Sequence, residues 1–147
     1  MKRIREIVVV LFVFVFVLCD SVSANGMGGS IIIDNAIDGK MYTIYKMLDL
    51  QSFDGDNYSY KIFSSEWDEF FDSGDGRFYF DVNSNGGVAF VGDEQSMDLV
   101  AQRALAYAKS HESITKKSQR AVGGIVEFKD LDLGYYLVDS SVGVLCG

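Results

Sequence analysis

The sequence has no proline, one histidine and two cysteines among its 147 residues. The shortages exclude several kinds of chemistry. One histidine and so few thiols leave no four-ligand zinc site to assemble. A serine or cysteine nucleophile needs a base within reach and a third group to orient it. The lone His111 stands in the polar stretch Ser110-His111-Glu112-Ser113, which reads as an exposed helix end. Phosphate-binding glycine patterns are missing too, since Gly123-Gly124 precedes a strand-like run instead of opening a helix. No physical reason for the absence of proline is evident. No apolar run reaches the roughly 20 residues that a bilayer-spanning helix needs.

The longest such run, Ile7 to Leu18, follows the positive cluster Lys2, Arg3 and Arg5. A short polar stretch comes next, with Val22 and Ala24 at the −3 and −1 positions of a cleavage site. Basic, apolar and small-residue regions in that order predict a secretory signal peptide over residues 1–24, and a retained anchor is the weaker reading. Leu18 before Cys19 disfavours lipoprotein processing, which wants a small residue there. Cys19 leaves with the signal, so the exported chain holds Cys146 alone and no intrachain disulfide. Cys146 reads first as a buried apolar residue, and pairing between chains is the other reading.

Basic side chains are also scarce. Removing residues 1–24 leaves 10 bases against 19 acids, a formal charge of −9. Such a polyanion repels nucleic acid and anionic lipid surfaces, so neither is an expected partner, and no bilayer contact is expected after signal removal.

What remains is rich in β-branched and aromatic residues. After the flexible lead-in at 25–30, strands are predicted over Ser30 to Asn35, Met41 to Leu50, Tyr58 to Phe63, Arg77 to Val82, Gly87 to Val91, Ile125 to Phe128 and Tyr135 to Asp139. In the second strand Tyr42, Ile44, Lys46 and Leu48 share one face, with Thr43, Tyr45 and Met47 on the other. Gln51 to Asn57 reads as an acidic loop and Glu112 to Arg120 as a polar linker. A short helix is predicted from a Ser65 cap, with Trp67, Phe70 and Phe71 on one face and Gly74 to Gly76 at its end. A longer one runs from Asp93–Ser96 to about Ser110. Strands in runs, with one or two inserted helices, predict a mostly β fold, an antiparallel β-sandwich over residues 31–147.

Two motifs invite chemistry. Asp81-Val82-Asn83-Ser84-Asn85-Gly86 opens like a calcium loop, but position twelve is Gly92 where a bidentate Glu is needed. A hairpin turn at Asn85-Gly86 is the better reading. Acid pairs such as Asp68-Glu69 and Asp130-Asp132 read as surface charge. No catalytic residue, metal or cofactor is therefore expected. Between Phe128 and Gly143 runs a dense stretch of aromatic and turn residues, with Gly134-Tyr135-Tyr136-Leu137-Val138-Asp139 at its centre. Both faces of that strand are apolar, which predicts a central, covered strand ending on a part-buried Asp139 that wants a partner.

That segment, with Gly29-Ser30-Ile31-Ile32-Ile33-Asp34-Asn35-Ala36-Ile37-Asp38-Gly39-Lys40 and Tyr42-Thr43-Ile44-Tyr45-Lys46-Met47-Leu48-Asp49-Leu50, resembles the N-terminal domain of Gram-positive sortase-assembled pilin backbone subunits. The resemblance extends over residues 28–147, including Ala104-Leu105-Ala106-Tyr107-Ala108-Lys109. It implies an Ig-like, Cna-B-like structural subunit of a cell-wall fimbria, with other pilin subunits and a sortase as partners if the missing C-terminal parts are supplied. It also implies an internal Lys–Asn or Lys–Asp amide, for which Lys46 is the candidate donor and Asp139 the candidate assisting acid. The sequence has no Leu-Pro-x-Thr-Gly signal and no Tyr-Pro-Lys motif. The domain is accordingly expected to be incomplete at its C-terminus. The alternative is a secreted adhesin-type module for a host protein or glycan, using Trp67, Phe70, Phe71, Phe78 and Tyr79 as an exposed patch.

Overall fold

Aromatic and β-branched side chains spaced two apart make Met41–Asp54 the longest strand, and the fold is arranged around it. The computed structural model describes residues 28–54 and 57–140. The expected signal peptide, the first half of the lead-in and Cys146 lie outside those residues. In chain order the strands are β1 (Gly29–Asp34), β2 (Met41–Asp54), β3 (Asn57–Ile62), β4 (Phe80–Val82), β5 (Gly87–Phe90), β6 (Lys116–Arg120), β7 (Ile125–Leu131) and β8 (Gly134–Ser140). The helices are α1 (Asp68–Asp72) and α2 (Met97–Ser110).

All pairings are antiparallel, and the strands form two sheets, so the fold is mostly β and sandwich-like as predicted. One sheet is the β1–β7 pair, and the other runs β4-β5-β3-β2 with β6 and β8 also on β2. Tyr42 to Tyr45 of β2 pair with both β6 and β8, so those strands occupy opposite edges of β2. Leu48 and Asp49 pair with both β3 and β8, which puts β3 and β6 end to end on one edge.

The large sheet is covered on both faces. On one side Tyr45, Met47, Leu48, Phe80 and Leu137 pack with Trp67, Phe70 and Phe71 and with Val100, Ala104 and Ala108 of α2. On the other, Tyr42 and Ile44 pack with Ile31, Val126, Phe128 and Leu131 of the β1–β7 pair. Burying each large side chain contributes roughly 1.5–3 kcal/mol, so the two clusters fix the order of the layers. Asp93 caps the turn that leads into α2, its carboxylate accepting from the Ser96 N–H at 2.8 Å. Among the described residues, no helix is long and apolar enough to cross a membrane.

Local readings need correction in five places. Gln51 to Asn57 is not simply a loop, because β2 and β3 continue as a ribbon to the Asp54–Asn57 pair. Arg77 to Val82 is strand only over Phe80–Val82, because Arg77 and Phe78 close the 3-10 turn Asp75–Phe78. The polar linker contains β6, which has no apolar face and owes its extended form to pairing with β2. Ser65 does not cap the short helix. The first turn follows Ser64, whose hydroxyl instead bonds to the Glu66 carboxyl and holds it below the usual carboxylate range. Finally, β8 is not central, since among the described residues β2 is the only strand that pairs with it.

Candidate functional site around Lys46

Charged side chains are almost never buried without a partner, and Lys46 is the one charged residue in the described interior, 7% exposed. Its position follows from an irregularity in β2. Lys46 pairs with Tyr136 and Leu48 with Tyr135, so Met47 is an extra residue, a β-bulge. In a regular strand, residues three apart face opposite sides. The bulge reverses that parity. Leu48 joins Tyr45 and Met47 in the cluster under the helices, while Asp49 comes round to the face of Lys46.

The Lys46 ammonium is ion-paired with Asp49. It lies 5.0 Å from the centroid of the Phe63 ring and 5.9 Å from that of Tyr136, within the range of cation–π attraction. Opposite Asp49 stands Gly134, the first residue of β8. A Cβ there would lie 2.7 Å from Lys46 Cε and 2.2 Å from the Leu48 carbonyl oxygen. Glycine thus leaves the space through which the lysine stem passes. The Tyr136 hydroxyl donates to the Asp132 carbonyl at 2.6 Å. Its phenol is pushed up to about 12, by burial first and then by the charges of Asp132 and Asp49.

Asp139 lies elsewhere. It pairs in register with Thr43, three residues before Lys46 and ahead of the bulge, so its side chain points to the opposite face. There it makes a 2.9 Å ion pair with Lys109 in the last turn of α2. The Asp139 charge also helps to raise the Tyr45 phenol, after burial and against Lys109. The structure therefore does not bring the candidate donor Lys46 and the candidate acid Asp139 together. About 10 Å of strand and the sheet itself separate them. The carboxylate beside Lys46 is Asp49, which sequence reasoning missed because only the bulge aligns the two. The part-burial of Asp139 and its need for a partner were legible.

The other sequence candidates resolve into structural roles. Asp81 to Gly86 contains the β4–β5 turn. The Asn83 Oδ1 accepts from the Asn85 and Gly87 N–H groups, both at 2.9 Å, and Gly86 takes the positive φ of 78°. His111 ends α2 with its ring stacked on Tyr107 at 4.0 Å. Of the five aromatics proposed as a patch, Trp67, Phe70 and Phe71 are fully buried and Tyr79 is half-buried, while Phe78 is 64% exposed and lies against the Arg77 guanidinium. Among the described residues, no cluster of three or more His, Cys, Asp or Glu is arranged to hold a metal ion.

The Lys46 site is thus a buried ammonium paired with a part-exposed carboxylate, walled by aromatic rings, where β2 meets the edge strand β8. No protein-family model matches the chain, and no curated protein or solved structure matches it.

Proposed function

We propose that this chain is an exported structural domain of the Gram-positive surface-fimbria type, with no catalytic role of its own. The observation that carries the reading is the pairing of β2 with β8. The Gly134 to Asp139 string, the most specific piece of the family resemblance, is hydrogen-bonded to a second of its segments, Tyr42 to Asp49, in the register Tyr42–Ser140 to Asp49–Gly134. Covered on both faces, they form a unit suited to bearing load. The adhesin alternative is weakened, because three of its five aromatics belong to the core.

Attachment to the cell wall, sortase action and neighbouring subunits are parts of the same proposal. The test is to locate the chain in the cell that makes it. Immunogold labelling is expected on the outer surface, with the chain in the wall fraction, whereas a sortase added to this chain alone is expected to give no high-mass ladder. Retention in the cytoplasm, or release only as a free monomer, would overturn the reading.

A further inference from the structure

Sheet edges present unpaired N–H and C=O groups, and proteins commonly guard them with lysine, proline or covering loops. β6 is guarded in this way, its five residues all exposed and three of them basic. β8 has no such guard along Tyr136, Leu137 and Val138, although among the described residues it pairs with β2 alone. Beside this edge runs a shallow cleft between β8 and α2. Its lining includes Met47, Phe80, Met97, Val100, Ala101 and Leu137, all apolar.

We propose that the outer edge of β8 pairs with β8 of a second copy of this chain, antiparallel about a two-fold axis near Leu137. The sequence of the edge is complementary to itself in that arrangement. Leu137 would face its own symmetry mate, Val138 would face Tyr136, and Asp139 would face Tyr135, so no like charges stand opposite one another. Asp139 already has Lys109 as its counter-ion within the chain. The two-fold also sets the α2 helices side by side over the joined sheet. Ala101 beside each cleft is small enough for close approach, and the part-exposed Met97 gains cover. The pairing would complete the hydrogen bonds of the edge and close the cleft in one step. It rests on the edge and the cleft alone, so it stands or falls separately from the fimbria reading.

Sedimentation equilibrium on the exported chain tests it, together with amide hydrogen exchange read at several protein concentrations. A dimer is expected at tens of micromolar. Protection of the outward amides among Tyr136 to Asp139 should rise with concentration. Ala101→Glu puts a charge into the cleft of a helix that tolerates glutamate. It is expected to weaken the dimer at least tenfold while leaving the far-ultraviolet circular dichroism unchanged. Lys117→Glu on the β6 edge should leave the dimer intact. A monomer at all concentrations would overturn the proposal, as would a dimer indifferent to Ala101→Glu. Concentration-independent protection of the edge would also overturn it, and would show that a segment of the same chain occupies the site.

Discussion

β6 and β8 flank the same half of β2, yet they are held there by different physics. β8 is apolar on both faces and contributes Leu137 to one core cluster, while Tyr136 and Val138 pack against the other. β6 buries none of its side chains. Its place is fixed by backbone pairing, by the Thr43–Ser118 hydroxyl contact at 2.8 Å and by the Arg120 guanidinium donating to the Gly39 carbonyl. Packing therefore secures one edge and polar contacts the other. Only the polar edge carries the charge that discourages further pairing.

The strongest way to break this contrast is to loosen β8 from β2. Gly134→Val places side-chain atoms where a Cβ alone would lie 2.2 Å from the Leu48 carbonyl oxygen. That contact is with backbone and cannot be relieved by a rotamer change. The first residues of β8 must move away and the Lys46 slot must open. The expected loss is about 3 kcal/mol, read as a fall in the urea midpoint. A change under 0.5 kcal/mol would show that β8 does not depend on this close approach.

A smaller loss tests the slot itself. Asp49→Ala leaves the Lys46 ammonium with only its aromatic neighbours. Removing one partner of a fully buried ion pair costs about 3–5 kcal/mol. Here the Asp49 side chain is 28% exposed, so water can reach the vacated position and a loss of about 2 kcal/mol is expected. Lys46→Met should cost less than Asp49→Ala, because the remaining carboxylate is the better solvated partner. Equal losses would argue against an asymmetrically buried pair.

The three variants touch features that were unequally legible in the sequence. Alternation marked β2 in the sequence, while a β-branched run marked β1 and a dense apolar and aromatic run marked β8. The i, i+3, i+4 spacing of Trp67, Phe70 and Phe71 likewise marked a helical core face. The part-burial of Asp139 followed from its place at the end of an apolar strand. The Lys46–Asp49 pair was hidden because strand parity places the two on opposite faces, and a bulge at Met47 leaves no compositional mark. β6 was hidden for a related reason. Lys-Lys-Ser-Gln-Arg has no period to detect, and its strand character is conferred by a neighbour distant in sequence.

The smallest expected change in stability falls on that same strand and sharpens the comparison most directly. Lys117 pairs with Ile44, is exposed, and has no ion-pair partner among the described residues. Lys117→Val should therefore alter monomer stability by less than about 0.5 kcal/mol, with the higher β propensity of valine offsetting the lost solvation. Its effect should appear in association. Removing one of three positive charges from an open edge takes away part of its protection against pairing, so light scattering at high protein concentration should show more self-association than in the unaltered chain. If the variant stays as dispersed as its parent, the charge on β6 is incidental, and the two edges of β2 differ only in how they are packed.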